Sequence, residues 1–174
     1  MALWKIDQSH SEIKFKVKHL VVSTVTGQFK NFEGSVETNS DDFSDAKISF
    51  EADVNSIDTR NEQRDGHLKS ADFFDAENYP KISFVSKSMN KKSDNEYELI
   101  GDLTIRGTTK EVKLDVVFNG VVKGFTGDDV AAFEIYGKIN RFDYGLHWNA
   151  LTEAGGIVVG EEVKIEINVE LVKA

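Results

Sequence analysis

The sequence predicts an all-β fold, a closed antiparallel barrel, and three observations lead there. Apolar and charged residues alternate with period two along most of the chain. Clusters of turn-forming residues fall between the alternating runs. Each run has one apolar and one polar face, so the strands need a shared interior, and closing the sheet leaves no open edge.

Trp4 and Ile6 begin the pattern weakly. Ile13, Phe15 and Val17 then alternate with Glu12, Lys14, Lys16 and Lys18. Phe32, Gly34 and Val36 form a shorter case. Ile48, Phe50, Ala52 and Val54 alternate with Ser49, Glu51 and Asp53. Ile82 with Phe84, and Leu99, Gly101, Leu103 and Ile105, follow the same rule. Val112, Leu114, Val116 and Phe118 enclose Lys113 and Asp115. Phe133, Ile135, Gly137 and Ile139 alternate with Glu134, Tyr136 and Lys138, and a last run extends from Val163 to Leu171. These make about nine strand candidates. Turns are expected at Asn39-Ser40-Asp41-Asp42, Ser93-Asp94-Asn95, Arg106-Gly107-Thr108 and Gly124 to Asp129.

One segment departs from the alternation. Thr59-Arg60-Asn61-Glu62 reads as a capping box, Thr59 accepting from the amide of Glu62. A short helix should follow, with Arg64, Leu68 and Ala71 on one face. Tyr79-Pro80 ends it, because the residue before proline is pushed out of helical geometry. A second irregular stretch, Tyr144 to Gly160, suits a loop or short helix folded over a barrel mouth. No domain boundary, repeat or low-complexity segment interrupts residues 1–174.

Twelve Phe against four Tyr and two Trp supply bulk without polar groups, suiting either a packed core or a dry pocket wall. Gly34, Ala52, Gly101 and Gly137 on inward faces either leave a cavity or make room for neighbouring rings. A net charge of −9 argues against nucleic acid, whose binding depends on Lys and Arg neutralising phosphates. It disfavours anionic membrane surfaces for the same reason. The chain has no Cys, which removes disulfides, thiolate metal sites and a Cys nucleophile. The opening residues lack a signal-peptide pattern and no run is long enough to span a membrane as a helix. The expectation is a cytoplasmic protein without an integral membrane segment, or a periplasmic one if a leader has been removed.

Motifs for phosphate cradling, dinucleotide binding, zinc hydrolysis and the serine nucleophile elbow are missing. Asp41, Asp42 and Asp45 lack the Gly and terminal Glu of a calcium loop, so they read as a solvated turn. His10, His19, His67 and His147 share no metal-ligand spacing. No metal, cofactor or catalytic residue is therefore expected. Arg60, Arg64, Asp65, His67 and Lys69 form either a polar rim for a ligand head group or a solvated helix face. Asn140, Arg141 and Asp143 read better as a structural network closing a strand end.

The ordered residues resemble the YceI-like family of lipocalin-like polyisoprenoid-binding proteins. The likeness lies in Trp4, Ile6, Asp7, His10-Ser11, Ile13, Phe15, Val17 and His19. Its most specific part is Arg64-Asp65, His67-Leu68-Lys69-Ser70, Asp72-Phe73-Phe74-Asp75, Tyr79-Pro80, Ile82 and Phe84. Gly101, Leu103, Ile105, Gly107 and Thr109, then Ile139-Asn140-Arg141, Asp143 and Gly145, and finally Gly160 with the last alternating run, complete it. Glu161 stands where an Asp is more usual. The resemblance implies a lipocalin-like eight-stranded antiparallel barrel with a short helical insertion, enclosing a tunnel for an isoprenoid tail. The ligands it implies are isoprenoid quinones, polyprenyl pyrophosphates and similar amphiphiles. Many relatives carry a secretion leader, a feature this opening lacks.

The function expected is thus a non-enzymatic carrier of a long-chain isoprenoid or related amphiphilic lipid. Phe15, Val17, Phe32, Phe50, Phe84, Leu103, Leu114 and Ile135 are expected to line the tunnel. Arg64, His67 and Asn140 are expected at its polar mouth. Strands left at an edge would allow a homodimer. The alternative is a small hydrolase or isomerase-like enzyme in which His67 or His10 acts as general base with an adjacent Asp. A plain interaction module with a filled core is the third reading.

Overall fold

The chain was analysed as a computed structural model that describes residues 1–20, 22–149 and 159–174. The alternating runs become strands: β1 (Ala2–Ile6), β2 (Glu12–His19), β3 (Ser23–Phe29), β4 (Phe32–Thr38), β5 (Lys47–Asp53) and β6 (Ile57–Asp58). After helix α1 (Glu62–Lys69) come β7 (Lys81–Lys91), β8 (Glu96–Ile105), β9 (Thr108–Lys123), β10 (Asp129–Asn140) and β11 (Val159–Lys173). Pairing runs β1-β4-β5-β7-β8-β9-β10-β11, and β11 pairs back to β1, with Trp4 opposite Lys173 and Ile6 opposite Leu171. The result is a closed eight-stranded antiparallel barrel with one short helix.

β1 and β2 form one wall of it, since both lie along β11. A 3-10 turn at Gln8–His10 breaks that wall, and Asp7 caps it by accepting from the Ser9 amide at 3.0 Å. β11 stays bonded across the break: Asp7 N–H donates to the Glu170 carbonyl at 2.9 Å, and Glu170 N–H donates to Ser11 Oγ at 3.0 Å. β3 and β4 form the next wall, pairing with β2 and β1 respectively. β3 was not among the strand candidates, because Ser-Thr-Val-Thr-Gly-Gln carries neither a strong apolar face nor charges to set it off.

The helix starts two residues later than the capping box placed it. Asn61 is the N-cap, its side chain accepting from the Arg64 amide at 3.0 Å. Thr59 is spent elsewhere: its amide donates to Asp65 at 2.9 Å, and its hydroxyl accepts from Arg64 Nε at 2.8 Å. Arg60 turns the chain between them with φ of +65°. Ala71 lies beyond the helix end. Pro80 immediately precedes β7, as its geometry required.

The inward glycines serve neighbouring side chains. A Cβ on Gly101 would strike the Phe84 ring and lie 2.6 Å from the Val85 carbonyl oxygen. One on Gly137 would strike Leu114, and one on Gly34 would lie 2.6 Å from Ile6 Cδ1. Of the four small inward residues, only Ala52 lines an interior void. Because the Val85 oxygen belongs to backbone, a Gly101→Ala protein cannot relax by rotating a side chain. Its urea midpoint should fall by an amount equivalent to about 1–3 kcal/mol.

Candidate ligand-binding site

Two voids lie inside the barrel. The first, about 130 Å³, is bounded only by apolar residues, among them Phe43, Phe84, Leu114, Phe133 and Ile135. The second, about 160 Å³, lies toward α1 and is bounded by Phe15, Val17, Ala52, Leu68, Phe74 and others. Ile13, Phe50, Leu103, Ile165 and Ile167 belong to both walls, so the voids meet along a common partition. The alternation produces this directly: one face of each strand supplies the lining, and no ionisable side chain bounds the first void. Each is close in size to an engineered apolar cavity of roughly 150 Å³ that stays dry and takes up benzene.

The two ends are stopped differently. At one end Phe43, 1% exposed, meets the rings of Trp4, Phe118 and Phe133 at centroid distances of 5.2, 5.3 and 5.0 Å. At the other, α1 and the segment after it lay Leu68, Phe73 and Phe74 over the second void. His67 stands edge-on to Trp148 at 4.6 Å and to Phe73 at 5.1 Å. Arg106 Nη1 donates to the carbonyls of Phe73 at 2.9 Å and Gly145 at 3.2 Å, tying the helical insertion to the far loop.

Of the expected tunnel residues, Phe15, Val17, Phe50, Phe84, Leu103, Leu114 and Ile135 all border a void. Phe32 does not; it is buried beside Phe50 with ring centroids 6.3 Å apart. The three residues expected at a polar mouth border neither void. Arg64 Nη2 donates to the Thr59 carbonyl at 2.6 Å. His67 Nε2 pairs with Asp72 at 2.9 Å. Asn140 caps a 3-10 turn (Arg141–Tyr144) by accepting from Phe142 N–H at 2.9 Å, and donates to Glu161 at 3.1 Å. Part of the stretch expected to cover a mouth, residues 150–158, lies outside the described residues.

Two charged residues do border the second void, Lys14 and Arg141, and of these Arg141 is buried, 3% exposed. Its Nε donates to the Gly160 carbonyl at 2.8 Å, Nη1 to those of Leu146 at 2.6 Å and Trp148 at 2.8 Å, and Nη2 to that of Val159 at 3.2 Å. Among the described residues no carboxylate comes within ion-pair distance of it. Burial accordingly pushes its pKa down, with the more distant charge of Glu161 acting against the shift. A structural network was expected of the Asn140–Asp143 group; that one arginine would gather four carbonyls, two of them 18 and 19 residues further on, was not readable from the motif.

Folding also collects a group that sequence spacing did not suggest. His10 Nδ1 lies 2.8 Å from Asp7 and 3.8 Å from Glu170, and the three side chains could between them hold a cation. A proton already serves: the hydrogen bond to Asp7 raises the His10 pKa, and the same bond lowers that of Asp7. The raised histidine stabilises the fold fully below its ordinary value and loses that contribution as pH climbs through the raised one. The lowered Asp7 acts oppositely, its contribution fading as pH falls beneath the usual carboxylate range. Titration by NMR should place His10 above a free histidine, and Asp7→Asn should bring it down. An unchanged His10 titration in that variant would contradict the pairing.

Comparison with known proteins agrees with this architecture. The sequence model of the YceI-like domain matches residues 4–171. A UPF0312 protein of Staphylococcus epidermidis is 43% identical over 171 residues, covering 98% of this chain and 97% of the relative. A YCEI protein of Campylobacter jejuni superposes with a TM-score of 0.76 at 31% identity, covering 90% of each chain. BcnA of Burkholderia cenocepacia gives a TM-score of 0.80 at 23% identity, covering 95% of this chain and 98% of the other. A polyisoprenoid binding domain from Saccharophagus degradans gives 0.74 at 14% identity, covering 98% of each. With its barrel, its apolar voids and these matches across nearly its whole length, the chain belongs to the YceI-like family.

Proposed function

We propose that this protein binds the apolar chain of an isoprenoid lipid inside the barrel and carries it without altering it chemically. The observation that carries the reading is the pair of apolar voids sharing one partition. Each suits about six carbons by comparison with the benzene-sized cavity, so a chain of about twelve carbons matches the hollow as it stands. Longer tails require the partition side chains to move. Each methylene transferred from water gains about 0.8 kcal/mol, so affinity should climb with chain length until the hollow is full. The fold is one that a polyisoprenoid-binding domain also uses; that likeness supports the architecture, and the voids support the ligand.

A carrier also fits the placement of the histidines. The His67–Asp72 and His10–Asp7 pairs, which an enzyme of this shape would use, both lie off the walls of the voids. Organic extraction of freshly purified protein followed by mass spectrometry, with a titration of geraniol, farnesol and geranylgeraniol, tests the proposal. The expected result is a recovered prenyl compound and tighter binding from the first alcohol to the second. Empty extracts together with no binding of any of the three would overturn it.

A further inference from the structure

We propose that the Phe43 end of the barrel docks on a zwitterionic phospholipid bilayer and is the portal through which a chain passes between bilayer and hollow. This rests on the carrier reading above. Phe43 bounds the inner void on one side and an open surface groove of about 600 Å³ on the other. A single ring with its packing partners therefore separates outside from inside. The backbone of Phe43 is left-handed, with φ of +63°, a conformation that a bulky side chain adopts only under strain. The strain is held from outside by Asp42. The Asp42 carboxylate accepts from the Ser44 amide at 3.0 Å and from Lys91 at 3.2 Å, and its carbonyl accepts from the Tyr97 hydroxyl. Inside, the ring packs against Trp4, Phe118 and Phe133, apolar contacts that can rearrange without stranding a polar group.

Among the described residues, the same end carries the largest group of exposed apolar side chains. The β9–β10 hairpin presents Val121, Val122 and Phe125, with Phe125 fully exposed, and Met1 stands beside it at 72% exposure. Val121 and Met1 border the groove outside Phe43. The hairpin holds these side chains out in solvent, and a deformable apolar surface is the partner that takes them up. Its charges are already matched or negative: Lys123 is paired with Asp129 at 2.5 Å, and Asp128 accepts from Thr126. Beyond these, the groove sets Lys173 against Asp41, so the face has no net positive charge to select anionic lipids, which is why the partner is a zwitterionic bilayer. At the opposite end Leu20 and Val22 are exposed too, but that end also carries Arg60, Arg64, Asp65 and Asp72, charges that a bilayer interior would reject.

The test uses the full protein and phosphatidylcholine vesicles. Flotation measures docking, and the rate at which a fluorescent prenyl alcohol leaves the vesicles measures transfer. The variant carrying Val122→Asp and Phe125→Asp changes two exposed side chains away from the voids, so its fold and its affinity for dissolved geraniol should match the parent. The expected result is loss of flotation and transfer at least tenfold slower. Transfer at the parent rate, or a parent protein that binds geraniol yet never floats, overturns the docking surface and leaves the carrier reading intact. A parent that floats but binds no prenyl alcohol overturns the carrier reading and, with it, the portal. Phe125→Trp supplies a positional check: its emission should shift to the blue on adding vesicles, whereas Val22→Trp on the β2–β3 turn at the other end should not shift. The reverse pattern would place the docking face at the wrong end.

Discussion

Arg141→Ala should lower stability by about 3–5 kcal/mol, a large share of the 5–15 kcal/mol typical of a folded domain. The guanidinium satisfies carbonyls on residues 146, 148, 159 and 160, and the Asn149 side chain joins the same two segments through the Val159 backbone. Removing the guanidinium takes a donor from all four carbonyls at a buried position, and enlarges the second void beside them. Arg141→Lys should recover only a small part. Lysine keeps the charge, but a single ammonium cannot span four acceptors arranged around a planar fork. Urea unfolding followed by tryptophan emission reads both variants. A cost under about 1 kcal/mol for the alanine variant would mean that the carbonyls find other donors, and that the strand end is not held by this side chain.

The second large effect falls on binding. Leu103 belongs to the partition between the voids, and Leu103→Trp would place an indole in space that is empty in the parent. Overpacking in a filled core costs about 1–3 kcal/mol, but here the hollow can take the added bulk, so the thermal midpoint should move little. Binding of farnesol should weaken at least tenfold, because the chain can no longer cross from one void to the other. Leu103→Ala is the counterpart: it enlarges the hollow, should cost about 2–4 kcal/mol of stability, and should shift the preferred alcohol to a longer chain. Equal farnesol affinity in the parent and both variants would show that the chain does not lie across the partition.

The strands were legible where alternation was strong. The runs at Ile13–Val17, Val112–Phe118 and Val163–Leu171 declare their inward faces residue by residue, and Phe15, Val17 and Leu114, the tunnel residues expected from them, all border a void. Phe32 belongs to a shorter run, and it packs beside the Phe50 ring instead of bordering a void. β3 escaped notice because threonine and glycine make a strand without making a pattern. Gly27 was required by a ring on another strand, Phe15, whose atoms lie where its Cβ would be.

The polar residues were harder. Arg64, His67 and Asn140 look like a ligand mouth when read as a list of types, but each is taken up by a nearby backbone or side-chain partner. Hydrogen-bond satisfaction depends on which groups folding brings within about 3 Å, and residue type alone does not report that.

By itself the sequence determined the class of the fold and the apolar lining, because a period-two repeat assigns every second side chain to one face whatever the chain does later. Tertiary structure alone decided whether that lining would fill its interior or leave a hollow. Glycines opposite Phe84 and Leu114 let those side chains pack close to the wall, while Phe43 and Arg141 close or brace ends that are remote from them in sequence. Void space is a difference between the volume a barrel encloses and the volume its side chains occupy, so it exists only once the walls have met.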